Sequence, residues 1–277
     1  MSDRRIFLGA DDYGISPAVN VAIRDLVVRG RLNATSVLVT APSCGRSEAR
    51  ALAALNSASP RVAIGLHFAL TAPFRPASGG FRPLRNGAFL PLPAVMGHAL
   101  LHRFDPGALA AEVAGQLQRF VDLLGRTPDF IDGHQHVHLL PQLRDALLAE
   151  AKKAAPNAWL RQCGRVGPLR VRLGDGKGLL LDLASRSFRR RAAALSLHTN
   201  PAFAGAYAFT DDADFAALFP RFLDSMPDGG LVMCHPGFVD AELQALDPLT
   251  NLREREYSFL ASERLPVLLQ ARGMVLN

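Results

Sequence analysis

The sequence predicts an α/β fold, a parallel (β/α) barrel that is closed or partly closed, on three observations. Apolar runs of strand length alternate with longer stretches of helical period, the mark of successive βα units. Six or seven such units run through the 277 residues, read as one domain spanning 1–277. No Gly-x-Gly-x-x-Gly follows the first strand, which argues against a dinucleotide-binding sheet. Finally, Asp11, Asp12, His67, His134, His136, Arg161 and His235 all fall at the carboxyl ends of predicted strands. In a parallel barrel those ends share one face, the face on which active sites are built.

The first strand is Ile6–Ala10, followed by Ser16 as N-cap, Pro17 at the first helical position and a helix over Ala18–Arg29 that Gly30 stops. Thr35–Thr40 reads as the second strand, Glu48–Leu55 as a helix and Val62–Leu70 as the third strand. Residues 71–95 hold five prolines and read as a long active-site loop, since a loop of that length in a compact enzyme commonly closes over or lines a site. Asp105 caps a helix over Gly107–Leu124, and Asp129–Gly133 is a strand running into His134-Gln135-His136-Val137-His138. Helices over Pro141–Ala154, Leu179–Ser196, Asp212–Asp224 and Leu252–Ala271 flank short strands at Trp159–Arg161, Gly230–Cys234 and Met274–Leu276.

Composition removes several classes. A chain that is 49% apolar and 20% charged can bury a core and is not disordered as a whole. No apolar run approaches the ~18 residues of a spanning helix, and no signal peptide is expected at the start. Cys44, Cys163 and Cys234 are odd in number, far apart and without Cys-x-x-Cys spacing, so a reduced, cytoplasmic protein is expected. The net charge of +6 includes a cluster at Arg186, Arg189, Arg190 and Arg191. With only 7% aromatic residues and no base-stacking motif, the cluster reads as a solvated helix face and nucleic acid is not expected. Peripheral contact with an anionic membrane surface stays open. A homodimer would be ordinary for an enzyme of this size, although no exposed apolar stripe argues for one.

The polar residues at the strand ends suggest metal chemistry. By the period of two in an extended strand, His134 and His136 point to one side, which Asp132 shares. With His67 and a carboxylate from Asp11-Asp12 they offer three nitrogen or oxygen ligands and leave a position for water, the pattern of a catalytic metal site. His98, His102 and His198 read as ordinary polar residues.

Ala10-Asp11-Asp12-Tyr13-Gly14, Gly65-Leu66-His67-Phe68, Asp132-Gly133-His134-Gln135-His136-Val137-His138 and Cys234-His235-Pro236-Gly237 resemble, in the same order, the YdjC-like carbohydrate deacetylase family. That group includes chito-oligosaccharide deacetylases and hopanoid-associated proteins. The resemblance covers essentially the whole chain. It implies a deformed barrel related to polysaccharide deacetylases, a divalent metal and removal of an N-acetyl group from an acetylated amino sugar, either an oligosaccharide or a glycolipid. It assigns Asp12, His67 and His134 as metal ligands, Asp11 as general base and His235 as general acid.

Arg161 is placed to orient Asp11 or to contact substrate. His136, His138, Asp132 and Tyr13 are expected to line or support the site, with His136 as reserve ligand. The resemblance points to Mg2+, while the donor set equally suits Zn2+, Mn2+ or Co2+. Competing readings are a metal-dependent phosphoesterase or glycosidase on the same barrel, or an inactive sugar- or metal-binding module. Retention of both Asp11 and His235 argues against the last, because binding alone needs neither base nor acid.

Overall fold

The structure, a computed structural model, describes residues 3–165 and 176–276. In chain order its elements are β1 (Arg4–Tyr13), α1 (Pro17–Val28), β2 (Ala34–Val37), α2 (Arg46–Ala54), β3 (Ala63–Phe68), α3 (Leu92–Leu100), α4 (Pro106–Leu124) and β4 (Phe130–Gly133). There follow α5 (Pro141–Ala154), β5 (Trp159–Leu160), α6 (Gly176–Ala194), β6 (Phe203–Ala204), α7 (Phe215–Phe222) and β7 (Leu231–Cys234). The chain ends with α8 (Ala241–Leu246), α9 (Asn251–Ala261), α10 (Arg264–Ala271) and β8 (Met274–Leu276).

The strands run parallel in the order β5-β4-β3-β2-β1-β7-β6, with β8 paired to the start of β1. β1 is the axis of this curled sheet. Ile6, Leu8, Ala10 and Tyr13 are fully buried along it, as expected of a strand covered on both sides. The path ends come together through an irregular segment. Leu160 forms a parallel bridge with Thr199, and the Asn200 amide accepts from Gln162 N at 2.8 Å while donating to Gln162 O at 3.1 Å and Ala202 O at 2.8 Å. A deformed α/β barrel results, in which one side-chain amide replaces missing strand pairing next to β6.

Local sequence explains the element ends. Ser16 caps α1 by accepting from Val19 N at 3.3 Å, and Asp105 caps α4 by accepting from Ala108 N at 2.7 Å, each followed by a proline where no donor is needed. Gly65 is required in β3, because a Cβ there would lie 2.5 Å from the Phe130 ring, which stacks on Trp159 at 4.5 Å.

Some expectations need correction. β1 extends to Tyr13, so both aspartates belong to the strand end, and β2 covers Ala34–Val37, ending short of Thr40. The long loop ends at residue 91 rather than 95, since Leu92 and Pro93 form the first turn of α3. The single C-terminal helix divides into α9 and α10, with Pro266, which lacks an N–H, in the first turn of the second. The helix expected over Asp212–Asp224 is confined to Phe215–Phe222. α3, α8 and β6 have no counterpart in the sequence reading.

The proline-bearing loop is tied down. Glu112 on α4, fully buried, accepts from Ala77 N at 3.0 Å, Ser78 N at 2.9 Å and Ser78 Oγ at 2.6 Å, and Gln116 Nε2 donates to it at 2.7 Å. Phe81 packs against Phe89 and Phe104, and Phe74 sets its ring edge-on to His134 at 5.4 Å. The loop is a fixed wall of the strand-end face.

Replacing Asn200 by Ala should cost about 2–4 kcal/mol, because it orphans buried backbone groups of Gln162 and Ala202. Urea unfolding should show a lowered midpoint with an unchanged slope.

Candidate active site

Two neighbouring aspartates in a regular strand would face opposite sides. Here the pairing of β1 with β2 slips between Ala10 and Tyr13, and Asp12 takes φ 69°, a left-handed conformation that aspartate tolerates better than most residues. The bulge turns both carboxylates toward His67. Tyr13, the next residue, is carried the other way. Its hydroxyl accepts from Arg24 at 2.7 Å and donates to Glu48, so it does not line or support the site as expected.

Each aspartate is met by its own buried arginine. Arg161 Nη1 donates to Asp11 Oδ1 at 2.6 Å and Oδ2 at 2.8 Å, and pairs with Asp132 Oδ2 at 2.9 Å. Arg253 Nη2 donates to Asp12 Oδ2 at 2.6 Å. Burial alone would raise the Asp11 carboxyl, but Arg161, with His67 and His235, outweighs it and holds Asp11 at about 2. Burial is likewise overcome at Asp12, by Arg253 first and then His134 and His67, and its carboxyl lies well below the usual range. Both aspartates are therefore ionised at neutral pH.

His67, only 1% exposed, stands between these carboxylates. Its Nδ1 contacts Asp132 Oδ1 at 2.6 Å and Ser36 Oγ at 3.0 Å, and its Nε2 lies 3.3 Å from Asp12 Oδ1. Burial lowers its affinity for a proton, yet Asp132 and Asp11 prevail and push it up to about 10. Among the described residues Asp11, Asp12 and Asp132 share this buried pocket with Arg161, Arg253 and the protonated His67 ring, so an ion entering it takes over the charge that the His67 proton supplies.

The donor atoms fit a metal ion. Asp12 Oδ1 is 3.3 Å from His67 Nε2 and 3.1 Å from His134 Nδ1, and the three lie within 4.8 Å of one another. Ligands held ~2.1 Å from one ion stand roughly 3–3.4 Å apart, which both Asp12 distances match. Any ion there has to displace the His67 proton. Asp11, His67 and Asp132 form a second close group, but Arg161 Nη1 already sits against both carboxylates, where a dication would meet a fixed positive charge. His134 is 12% exposed, which leaves the first group open toward solvent.

The histidine-rich run is not extended beyond Gly133. Gln135 and His136 are left-handed, with φ 53° and 58°, so the period-of-two argument fails and His134 and His136 diverge. His136 Nδ1 lies 3.5 Å from Cys163 Sγ and its ring is edge-on to Phe203 at 5.8 Å, apart from the Asp12 group. His138 is buried behind the site, where Nε2 donates to Arg161 O at 2.8 Å. Burial, reinforced by Arg161, lowers both rings and takes His138 to about 3, so each is a neutral imidazole.

Across the pocket, His235 Nε2 lies 4.0 Å from Asp11 Oδ2 and the side chain is 14% exposed. Its backbone N donates to Glu256 Oε2 at 2.5 Å, and Tyr207 Oη donates to Glu256 Oε1 at 2.6 Å. Phe209, 44% exposed, meets the His235 ring edge-on at 5.3 Å. Sequence reasoning missed Arg253, Glu256, Ser36 and Phe74. A signal existed for the first two: they fall on the Leu252/Phe259/Leu260 face of α9, and a charge on an apolar helical face calls for a buried partner.

Arg161→Met should destabilise the protein by about 3–5 kcal/mol, since Asp11 and Asp132 would lose their shared counter-charge. Denaturant unfolding should also find the Asp11→Asn/Arg161→Met double variant more stable than Arg161→Met alone.

The chain resembles known proteins over nearly its whole length. A model described as YdjC-like protein matches residues 5–271. A chitooligosaccharide deacetylase of Escherichia fergusonii is 26% identical over 279 residues, covering 97% of this chain and 92% of that protein. A crystal structure from Enterococcus faecalis V583, described provisionally as a cellobiose-phosphate cleavage protein, superposes with a TM-score of 0.74 at 25% identity. It covers 100% of this chain and 97% of its own. The chain belongs to the YdjC-like family.

Proposed function

We propose that this protein is a carbohydrate N-deacetylase that uses one divalent metal ion, held by Asp12, His67 and His134. The observation that carries the reading is the division between adjacent aspartates. Asp12 Oδ1 converges with two imidazoles, while Asp11, ionised and held by Arg161, faces His235. The similarity to a chitooligosaccharide deacetylase supplies the substrate class.

A bound divalent ion supplies Lewis-acid polarisation of the acetamide carbonyl and acidification of the attacking water. Asp11 accepts the proton of that water as it adds to the carbonyl carbon. Arg161 holds both Asp11 oxygens, so the carboxylate cannot rotate away from the pocket. Asp132 fixes the orientation of His67 through Nδ1 and leaves Nε2 facing the pocket. His235, carrying a proton at Nε2, delivers it to the leaving nitrogen as the C–N bond breaks, giving acetate and a free amine. Glu256 anchors the His235 backbone during that transfer.

Metal-stripped protein reloaded in turn with Mg2+, Zn2+, Mn2+ and Co2+ should release acetate from chito-oligosaccharides only when loaded. Asp11→Asn and His235→Ala should each lower kcat by about 10²- to 10⁴-fold with metal still bound. Phosphate or a shortened sugar appearing from a phosphorylated disaccharide, with no acetate from any acetylated sugar, would overturn the reading in favour of another hydrolase.

Three free, buried cysteines suit a reducing compartment such as the cytoplasm. Among the described residues no helix is long and apolar enough to cross a membrane. On α6, Arg186, Arg189 and Arg190 are exposed with Leu180 and Leu183, a basic and apolar surface suited to peripheral contact with anionic lipid carrying an acetylated glycolipid. Changing Arg189, Arg190 and Arg191 to Gln should weaken binding to anionic vesicles severalfold while leaving hydrolysis of a short soluble oligosaccharide unchanged.

A further inference from the structure

Nothing in the residue types explains why Asp12, and not Asp11, should be left with an oxygen for an ion. The arginines do. Arg161 Nη1 occupies both oxygens of Asp11, at 2.6 and 2.8 Å, whereas Arg253 Nη2 occupies only Oδ2 of Asp12, at 2.6 Å. Oδ1 of Asp12 is thereby left to His67 and His134. Arg253 is itself fixed: it is 0% exposed, its Nη2 also meets Asp247 Oδ2 at 2.6 Å and its Nε donates to Leu249 O at 2.9 Å. Its own backbone carbonyl accepts from Gly237 N at 3.1 Å, tying α9 to the loop after His235.

From this geometry we infer that Arg253 is a positioning residue for the metal site, restraining Asp12 to offer Oδ1 alone. This inference rests on the assignment of Asp12, His67 and His134 as the ligand set. Without Arg253, the Asp12 carboxylate on its left-handed backbone would lose the restraint that, among the described residues, holds its Oδ2. It would be free to rotate or to present both oxygens. A guanidinium suits the task, because its rigid donors reach Asp12, Asp247 and Leu249 O together, while an ammonium is a single point charge.

The test compares the full-length wild type with Arg253→Met and Arg253→Lys. Each protein is metal-stripped and titrated with Co2+ against a chromophoric chelator, and the visible absorption of the loaded form is recorded. Arg253→Met should bind Co2+ about 10- to 100-fold more weakly, with a changed absorption band as the carboxylate mode changes. Arg253→Lys should fall between it and the wild type. If Arg253→Met does not fold, weakened binding and an altered band in Arg253→Lys support the inference on their own. Wild-type Kd and spectrum in either folded variant would overturn the inference while leaving the ligand assignment standing. Failure of the wild type itself to bind any divalent ion would overturn both.

Discussion

Two carboxylates adjacent in sequence share one buried pocket because each is met by a buried guanidinium. Bringing two anions into such a space is costly unless each is paired, and the pairing has to come from separate elements if the anions are to behave differently. Arg161 arrives from the end of β5 and Arg253 from α9, on either side of the bulge at the end of β1. The rest of the site depends on this arrangement. The left-handed backbone at Asp12 is tolerable because Arg253 anchors its side chain, and His67 can stand among three carboxylates because Arg161 offsets two of them.

The supports of the site lie deeper than the two histidines at its rim. Asp132, His138, Arg161, Arg253 and Glu256 are 0–1% exposed, while His134 and His235 keep 12% and 14% of their side chains open. Chemistry at the rim is thus held by a dry polar layer beneath it. In that layer each hydrogen bond is strengthened by the low dielectric, and each lost partner is correspondingly costly. The proline-bearing loop completes the rim as a wall, because Glu112 holds its backbone at Ala77 and Ser78 and Phe74 packs against His134.

Much of this was legible in the sequence, and the failures have physical causes. Strand-and-helix alternation gave the α/β barrel, and the strand-end position of Asp11, Asp12, His67, His134, Arg161 and His235 brought them to one pocket. Residue spacing could not reveal that the chain turns left-handed at Gln135 and His136, so two histidines expected side by side face different walls. Tyr13 sits in the same motif as the two aspartates, but beyond the bulge its hydroxyl goes to Arg24 and Glu48. Arg253 and Glu256 were hidden in a charged segment, Arg253-Glu254-Arg255-Glu256, whose alternation of sign looks like a solvated surface until its helical phase is matched to Leu252 and Leu260. The sheet closure by Asn200 depends on one side-chain amide and has no periodic signature.

The central claim is that a cation is held by Asp12, His67 and His134, and not by Asp11, His67 and Asp132. X-ray absorption spectroscopy of the Co2+- or Zn2+-loaded protein counts imidazole ligands directly through their ring scattering. Two imidazoles in the first coordination shell are predicted, falling to one in a His134→Ala variant. A single imidazole in the wild type, unchanged when His134 is replaced, would place the ion against Arg161 and contradict the account.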